Sequence, residues 1–355
     1  MSESSYIHLR PTSKNALWSL AWALVFFVLI NGVIWIAFDW KFFEWVGFDR
    51  LLMHPSDNEI LSVIDKIRTD DKKKRIVLLG DSIIWGVGIN DPQETLTGHL
   101  SKSYADREDI HMVNLSVPGN SFLDAATTIR AAYNENDVYL VFVNPMLFDH
   151  YYADRDFEEV VRFKELVQRN LREMRGTFKQ CCGLMIPENT PWIARVDSVL
   201  FHIIPLYHNR DLITKSLIGL QPSIAVDALL NRMRKFSPSP FERKTMHIES
   251  DPVVEKESID FTGSRMLVIL RQVTELLQDK ENVYYVILDD NRFKKNVVQD
   301  RNTILVKDAI ASDHILDLYR KIPTEHFLDS VHMKPSGHAL LADRIFRFLS
   351  QYDAP

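Results

Sequence analysis

The stretch Arg75-Ile-Val-Leu-Leu-Gly80-Asp81-Ser82 decides the fold of this chain. Ile76, Val77, Leu78 and Leu79 form a continuous apolar run of the kind that marks a strand buried on both faces. Glycine, aspartate and serine then end it abruptly. In an open α/β sheet, functional groups collect just beyond the carboxyl ends of the strands. A serine placed there presents both a hydroxyl and a backbone N–H. Taken alone, Gly80-Asp81-Ser82 also reads as an ordinary turn, because these residues dominate turns for local reasons.

A second short block lies near the other end of the chain. Asp329-Ser330-Val331-His332 precedes Pro335 and a terminal amphipathic stretch, Gly337–Leu349. A histidine can take a serine proton and return it to a leaving group, while a carboxylate orients the imidazole and stabilises its charged form. Three residues of separation let Asp329 and His332 converge within one tight loop. Read alone, this block is equally a helix-entry turn with a surface histidine. Together, the two blocks point to nucleophilic catalysis.

Between them, apolar runs alternate with helical stretches. Strands are expected at Ile76–Leu79, Met112–Val117, Val138–Val143, Val283–Leu288 and Thr303–Val306. Helices are expected at Leu123–Tyr133, Phe157–Arg175, Ser264–Leu277 and Gly337–Leu349. This alternation predicts an α/β fold with a parallel sheet covered on both faces. The interval 150–260 is too long for a simple crossover, and its prolines, from Pro187 to Pro240, predict a helical insertion with loops. Within it Val196–Tyr207 (VDSVLFHIIPLY) reads as a buried segment or a lid.

With these blocks in place the chain resembles the SGNH/GDSL hydrolase superfamily. Gly80-Asp81-Ser82 matches its first block, which makes Ser82 the implied nucleophile. Asn114-Leu-Ser-Val-Pro-Gly119-Asn-Ser is similar to the second, whose glycine N–H faces the oxyanion. Asn144 stands in the place of the third-block asparagine, and Asp329 with His332 matches the last block, Asp-x-x-His. The implied oxyanion donors are therefore Ser82 N–H, Gly119 N–H and the Asn144 amide. The third block departs from the usual Gly-x-Asn, reading Phe142-Val143-Asn144-Pro145, and Asn120 is an alternative donor. The resemblance implies a flavodoxin-like parallel sheet over 75–355. Trp85-Gly86-Val87-Gly88 and Glu94-Thr95-Leu96 resemble membrane-associated, polysaccharide-linked branches. The implied activity is a serine esterase or O-acyltransferase on O-acyl esters of a cell-envelope glycan, acetyl being one candidate group. A non-catalytic glycan-binding or scaffold partner of an integral-membrane acyltransferase is the alternative.

Other chemistries have little footing. The Gly-x-Ser-x-Gly elbow is absent, and Gly80, Gly86 and Gly88 fit neither phosphate-loop fingerprint. No His-Glu-x-x-His occurs, and no histidine spacing suggests a metal; no cofactor is expected. His338 reads as a helix-face residue rather than a second base. Cys181 and Cys182, the two cysteines, are adjacent, which disfavours mutual bridging, and read as structural.

The amino terminus has its own signature. Ala16 to Phe38 contains no charged residue over 23 positions, and a helix of about 20 residues spans the hydrocarbon layer. Trp18, Trp35 and Trp40 lie near its ends, where indoles favour the headgroup region. A cleaved signal peptide would have a shorter apolar core and a small-residue cleavage site, so 16–38 is read as a transmembrane anchor after a tail at 1–15. Asn31-Gly32 within it is either a contact with another helix or a tolerated polar residue. Residues 39–74 read as a juxtamembrane linker with one short helix, in which Asp57 caps a stripe of Ile60, Leu61, Ile64 and Ile67. The run from Asp70 to Arg75 reads as a solvated joint. Arg10 and Lys14 before the span balance Lys41 and Arg50 after it, so the resemblance alone implies the setting, a bacterial inner membrane with a periplasmic catalytic domain.

At about 100–200 residues per domain, 355 residues allow one large domain or two small ones. With 42 Lys+Arg against 48 Asp+Glu and a net charge of −6, the basic footprint of nucleic-acid binding is missing. An apolar fraction of 46% excludes intrinsic disorder.

Overall fold

The computed structural model describes residues 13–40, 50–51, 55, 57–69, 74–107, 109–148, 166, 200, 203–210, 212–213, 256–289, 291 and 293–352. These fall into two compact units, Met1–Gly47 with Thr190–Arg210, and Phe48–Asn189 with Asp211–Pro355.

The first unit is built on helix α1, Ser13–Ile34, continued by a π-helical turn over Trp35–Trp40. Ala16–Ala37 is apolar and long enough to cross a membrane. Along it every residue from Ala16 to Ile30 is exposed, and Asn31 is buried.

The second unit is an α/β domain. Its helices are α2 (Asp57–Thr69), α3 (Ser82–Trp85), α4 (Leu96–Ser103) and α5 (Phe122–Ala132), followed after the first unit's α6 (Pro205–His208) by α7 (Arg265–Leu277), α8 (Val297–Ile310) and α9 (Pro335–Leu349). Its strands are β1 (Lys74–Leu79), β2 (Ile110–Asn114), β3 (Val138–Val143), β4 (Val283–Ile287) and β5 (Ile315–Asp317). They form one five-stranded sheet in the order β2-β1-β3-β4-β5, with every pair parallel. This is the doubly wound, flavodoxin-like order. Its connections reverse between β1 and β3, opening a crevice at their carboxyl ends.

The burial explains why these runs are strands. β3 and β4 are buried at every position, and β1 at all but Lys74; only a sheet covered on both sides buries consecutive residues in this way. α4 and α9 pack together over one face, sharing a core with Ile76, Leu78, Leu140, Phe142 and Val286. Helix α2 packs on α5, α5 on α7 and α7 on α8. At the opposite end of the sheet from the crevice, Arg75 and Asp137 form a fully buried ion pair at 3.0 Å, and Asp137 also accepts the Arg75 backbone N–H. Removing one partner of such a pair costs about 3–5 kcal/mol, because the other charge is stranded.

Several sequence expectations shift. Thr303–Val306 is not a strand; it lies inside α8, whose first turn is capped by the Asn296 side chain accepting from Val298 N and Gln299 N. Its β-branched run is ambiguous over so short a window. The fifth strand is instead Ile315–Asp317, three residues long at the sheet edge and partly exposed. β2 stops at Asn114 because the Asn114 side chain accepts the Ser116 N–H and bends the chain; Leu115 and Val117 still pair with Leu78 and Gly80 carbonyls. Helix α4 was not anticipated. Phe157–Arg175 lies outside the described residues apart from Leu166, and so does most of the insertion. Where Val196–Tyr207 is described, Ile203 is 70% exposed, which overturns the buried reading at that point.

The residues read as a linker are partly domain. Arg50 stacks over the Trp85 ring at 4.3 Å and donates to the Trp85 carbonyl, while the Trp85 indole donates to Leu51 O at 2.8 Å. Ile60, Val63, Ile64 and Ile67 of α2 are buried.

His338, on α9, accepts the Leu96 N–H at 3.0 Å through Nδ1 and is fully buried. Burial, reinforced by nearby positive charge, lowers its pKa from 6.5 to about 3. The folded state therefore holds His338 neutral, and the unfolded chain binds the extra proton. Its contribution is complete above pH 6.5 and is lost as pH falls toward 3, at up to about 1.4 kcal/mol per pH unit. Denaturant titrations of the detergent-solubilised protein at stepped pH should show stability falling over this window. His338→Gln should flatten that slope. An unchanged slope would mean that other groups set the acid sensitivity.

Candidate active site

β1 delivers the chain to the crevice, and Gly80 makes the exit possible. A Cβ on Gly80 would sit 2.7 Å from Ile84 Cγ1 and 3.1 Å from Phe142 Cβ, so a larger residue would drive the turn off the sheet. Asp81 caps α3, its Oδ1 accepting the Ile83 N–H at 2.9 Å. Ser82 is the first residue of α3 and half-buried, and a first-turn amide has no acceptor within its own helix.

The loop before α9 brings His332 to this serine across 250 residues of sequence. A bridge between Phe327 and Met333, both buried, closes the loop. Leu328 N donates to His332 O at 2.7 Å. Asp329 Oδ1 accepts the backbone N–H groups of Val331 at 2.7 Å and His332 at 2.6 Å. Its Oδ2 lies 2.8 Å from His332 Nδ1. His332 Nε2 lies 3.1 Å from Ser82 Oγ. A carboxylate only accepts, so Nδ1 carries the proton and Nε2 is left to accept from the hydroxyl.

The electrostatics fit that tautomer. Burial pushes the Asp329 carboxyl up, but hydrogen bonds from the His332 ring and the two backbone amides outweigh it, and its pKa falls to about 2. Asp329 is thus an anion over the whole neutral range. Both side chains keep about a fifth of their area exposed, so a substrate can reach them. The arrangement can pass a proton from Ser82 to His332 while Asp329 stabilises the resulting imidazolium.

The second and third blocks lie on the same rim. Val117 N donates to Gly80 O at 3.1 Å, and Asn120 N donates to Val117 O at 3.0 Å, which holds this turn against the end of β1. Gly119 is exposed with φ +75, a conformation that side chains strain. Asn144, one residue past β3, is buried and donates from Nδ2 to Asp81 Oδ2. Burial raises the Asp81 pKa, partly offset by the hydrogen bonds from the Asn144 amide and the Ile83 N–H. Asn120 is 3% exposed, and among the described residues neither its Nδ2 nor its Oδ1 has a hydrogen-bond partner.

The structure therefore brings Ser82, Asp329 and His332 into hydrogen-bond reach and places Gly119, Asn120 and Asn144 around the carboxyl ends of β1, β2 and β3. The Asn144–Asp81 contact was not visible in the sequence, since two residues 63 positions apart share no periodic signal. Among the described residues, no group of three His, Cys, Asp or Glu side chains could hold a metal ion. Cys181 and Cys182 lie outside the described residues.

No protein-family model and no curated protein matches the chain. Solved structures are similar to it at a distance, two of them as follows. One has 15% sequence identity and a TM-score of 0.33, covering 79% of this chain and 97% of the other. The second is a carbohydrate esterase family 2 enzyme plus carbohydrate binding domain from Corynascus thermopiles (Myceliophthora fergusii). It has 11% identity and a TM-score of 0.32, covering 79% of this chain and 67% of the other. Likenesses this distant leave the chemistry to the geometry of the site itself.

Proposed function

We propose that the chain is a membrane-anchored serine esterase or O-acyltransferase that acts on O-acyl groups, such as acetyl, of a cell-envelope glycan. The observation that carries the chemistry is a single imidazole bonded at once to the Asp329 carboxylate and the Ser82 hydroxyl. The glycan and the periplasmic setting follow from the superfamily resemblance. The length and exposure of the apolar helix Ala16–Ala37 support the anchor.

His332 Nε2 takes the Oγ proton as Ser82 Oγ bonds to the acyl carbon, and the carbonyl electron pair moves onto oxygen. Collapse of that intermediate breaks the bond to the sugar oxygen, which leaves with the proton from Nε2. Water, or a second hydroxyl, then gives its proton to His332 Nε2 as its oxygen bonds to the acyl carbon; the bond to Ser82 Oγ breaks, Oγ takes the proton back from Nε2, and the acid or new ester leaves. Water makes the protein a hydrolase and a bound hydroxyl makes it a transferase; an integral-membrane acyltransferase would be a fitting donor partner.

The developing oxyanion needs donors fixed in advance. Ser82 N–H and Gly119 N–H serve as two. For the third, the free amide of Asn120 is better placed to turn to substrate than that of Asn144, which is spent on Asp81. Asn144 then acts as a positioning residue that holds Asp81, and through it the start of α3.

Hydrolysis of p-nitrophenyl acetate by the full-length protein in detergent tests the first claim. Ser82→Ala should lower kcat by about a thousandfold or more while leaving the fold intact. Equal turnover by both proteins would refute a Ser82 nucleophile. A folded wild-type protein with no turnover, whose cellular role survives Ser82→Ala, would favour the scaffold reading.

The two asparagines should separate cleanly. Asn120→Ala should lower kcat by about 10²–10³-fold with KM little changed, and it should not lower thermal stability, because it removes a buried unsatisfied amide. Asn144→Ala should lower the melting temperature, because it strips a donor from a buried carboxylate. The reverse pattern would return the oxyanion role to Asn144.

A further inference from the structure

We propose that Ile203–Tyr207 is a second lipid-contacting element, docked on the anchor helix inside the acyl-chain layer. The proposal rests on α1 being a membrane anchor.

Asn31 is the one buried residue among those from Ala16 to Ala37, in a helix otherwise exposed or partly exposed. It is not idle. Its Nδ2 donates to Phe27 O at 2.8 Å, and its Oδ1 accepts the Leu206 N–H at 2.9 Å. Leu206 stands in the first turn of α6, where a backbone amide has no acceptor inside its helix. In hydrocarbon, an unpaired amide on either side costs several kcal/mol. The two groups satisfy each other, so a bond that is modest in water becomes a strong reason for docking in lipid.

Depth follows from the spacing. Asn31 is six residues before Ala37, the end of the apolar stretch, which is about 9 Å at 1.5 Å per residue. Interfacial amphipathic helices sink their apolar faces about 5–10 Å below the boundary. The segment is suited to that depth. The Ile204 N–H bonds to Leu200 O, and Tyr207 and His208 N–H both bond to Ile204 O; with Pro205 lacking an N–H and Leu206 bonded to Asn31, every backbone N–H from Ile204 to His208 has a partner. Ile203 is 70% exposed, with Leu206 at 37% and Leu200 at 36%. α6 packs directly on α1, whose apolar residues from Ala16 to Ile30 are all exposed, and this adjacency is what commits the patch to acyl chains. Polarity returns immediately afterwards at His208, Asn209 and Arg210, with the Arg210 guanidinium 4.0 Å over the Tyr207 ring. Such a pair suits the headgroup region, where an aromatic edge and a cation both find partners.

The test uses the full-length chain with Cys181 and Cys182 replaced by serine, reconstituted into phosphatidylcholine vesicles. An environment-sensitive NBD label is placed by Ile203→Cys, and separately by Val25→Cys in the mid-anchor and by Val297→Cys at the start of α8, a position 83% exposed. Lipids carrying doxyl groups on their acyl chains act as quenchers. The proposal expects strong quenching at positions 203 and 25 and none at 297. Quenching at 25 but not at 203 overturns it and leaves the anchor standing. Blue-shifted but unquenched emission at 203 also overturns it, since the patch would then be covered by protein, either a second copy or a partner. Absence of quenching at 25 refutes the anchor and the proposal together.

Discussion

The parallel pairing of β1 with both β2 and β3 is the constraint on which the site depends. It puts the carboxyl ends of three strands side by side at the point where the connections reverse. Each strand then releases one polar block onto the same rim: Asp81 and Ser82 from β1, Gly119 and Asn120 beyond β2, and Asn144 beyond β3. No loop has to travel far to build the site. Burial of the strands on both faces makes the rim stiff, and that stiffness lets a 3.1 Å contact between Ser82 and His332 be held in advance of any substrate.

The last contributor, the loop from Leu328 to His332, works differently. It is held by hydrogen bonds to one carboxylate. Asp329 fixes the loop backbone with one oxygen and the imidazole with the other, so loop shape and tautomer are set by the same group. This is why its carboxyl is driven to about 2. The Asp81 carboxyl, in contrast, is driven upward by burial. Two aspartates of one site thus have opposite environments, one facing the imidazole and one serving the backbone and Asn144.

What was legible in the sequence follows physical lines. β1, β3 and β4 are continuous apolar runs, and their burial on both faces leaves a one-dimensional trace. Ser82, Asp329 and His332 were legible because each belongs to a short local block whose spacing is set by a turn. β5 was not, since three partly exposed residues at an edge carry no period, and Thr303–Val306 imitated a strand inside α8. The pairing of Asn144 with Asp81, the open amide of Asn120 and the clasp of Arg50 on Trp85 all depend on where distant turns meet. Asn31 was visible as a polar residue in an apolar helix, but its partner, a backbone amide at Leu206, belongs to a segment 175 residues away.

The central claim is that Ser82 is a nucleophile activated by His332. A fluorophosphonate probe tests it most directly, because the probe bonds only to an activated serine and marks the residue it meets. The account predicts a single labelled peptide, the one containing Ser82, and its loss in a folded His332→Ala protein. A folded wild-type protein that takes no label, or one labelled at another serine, would contradict it.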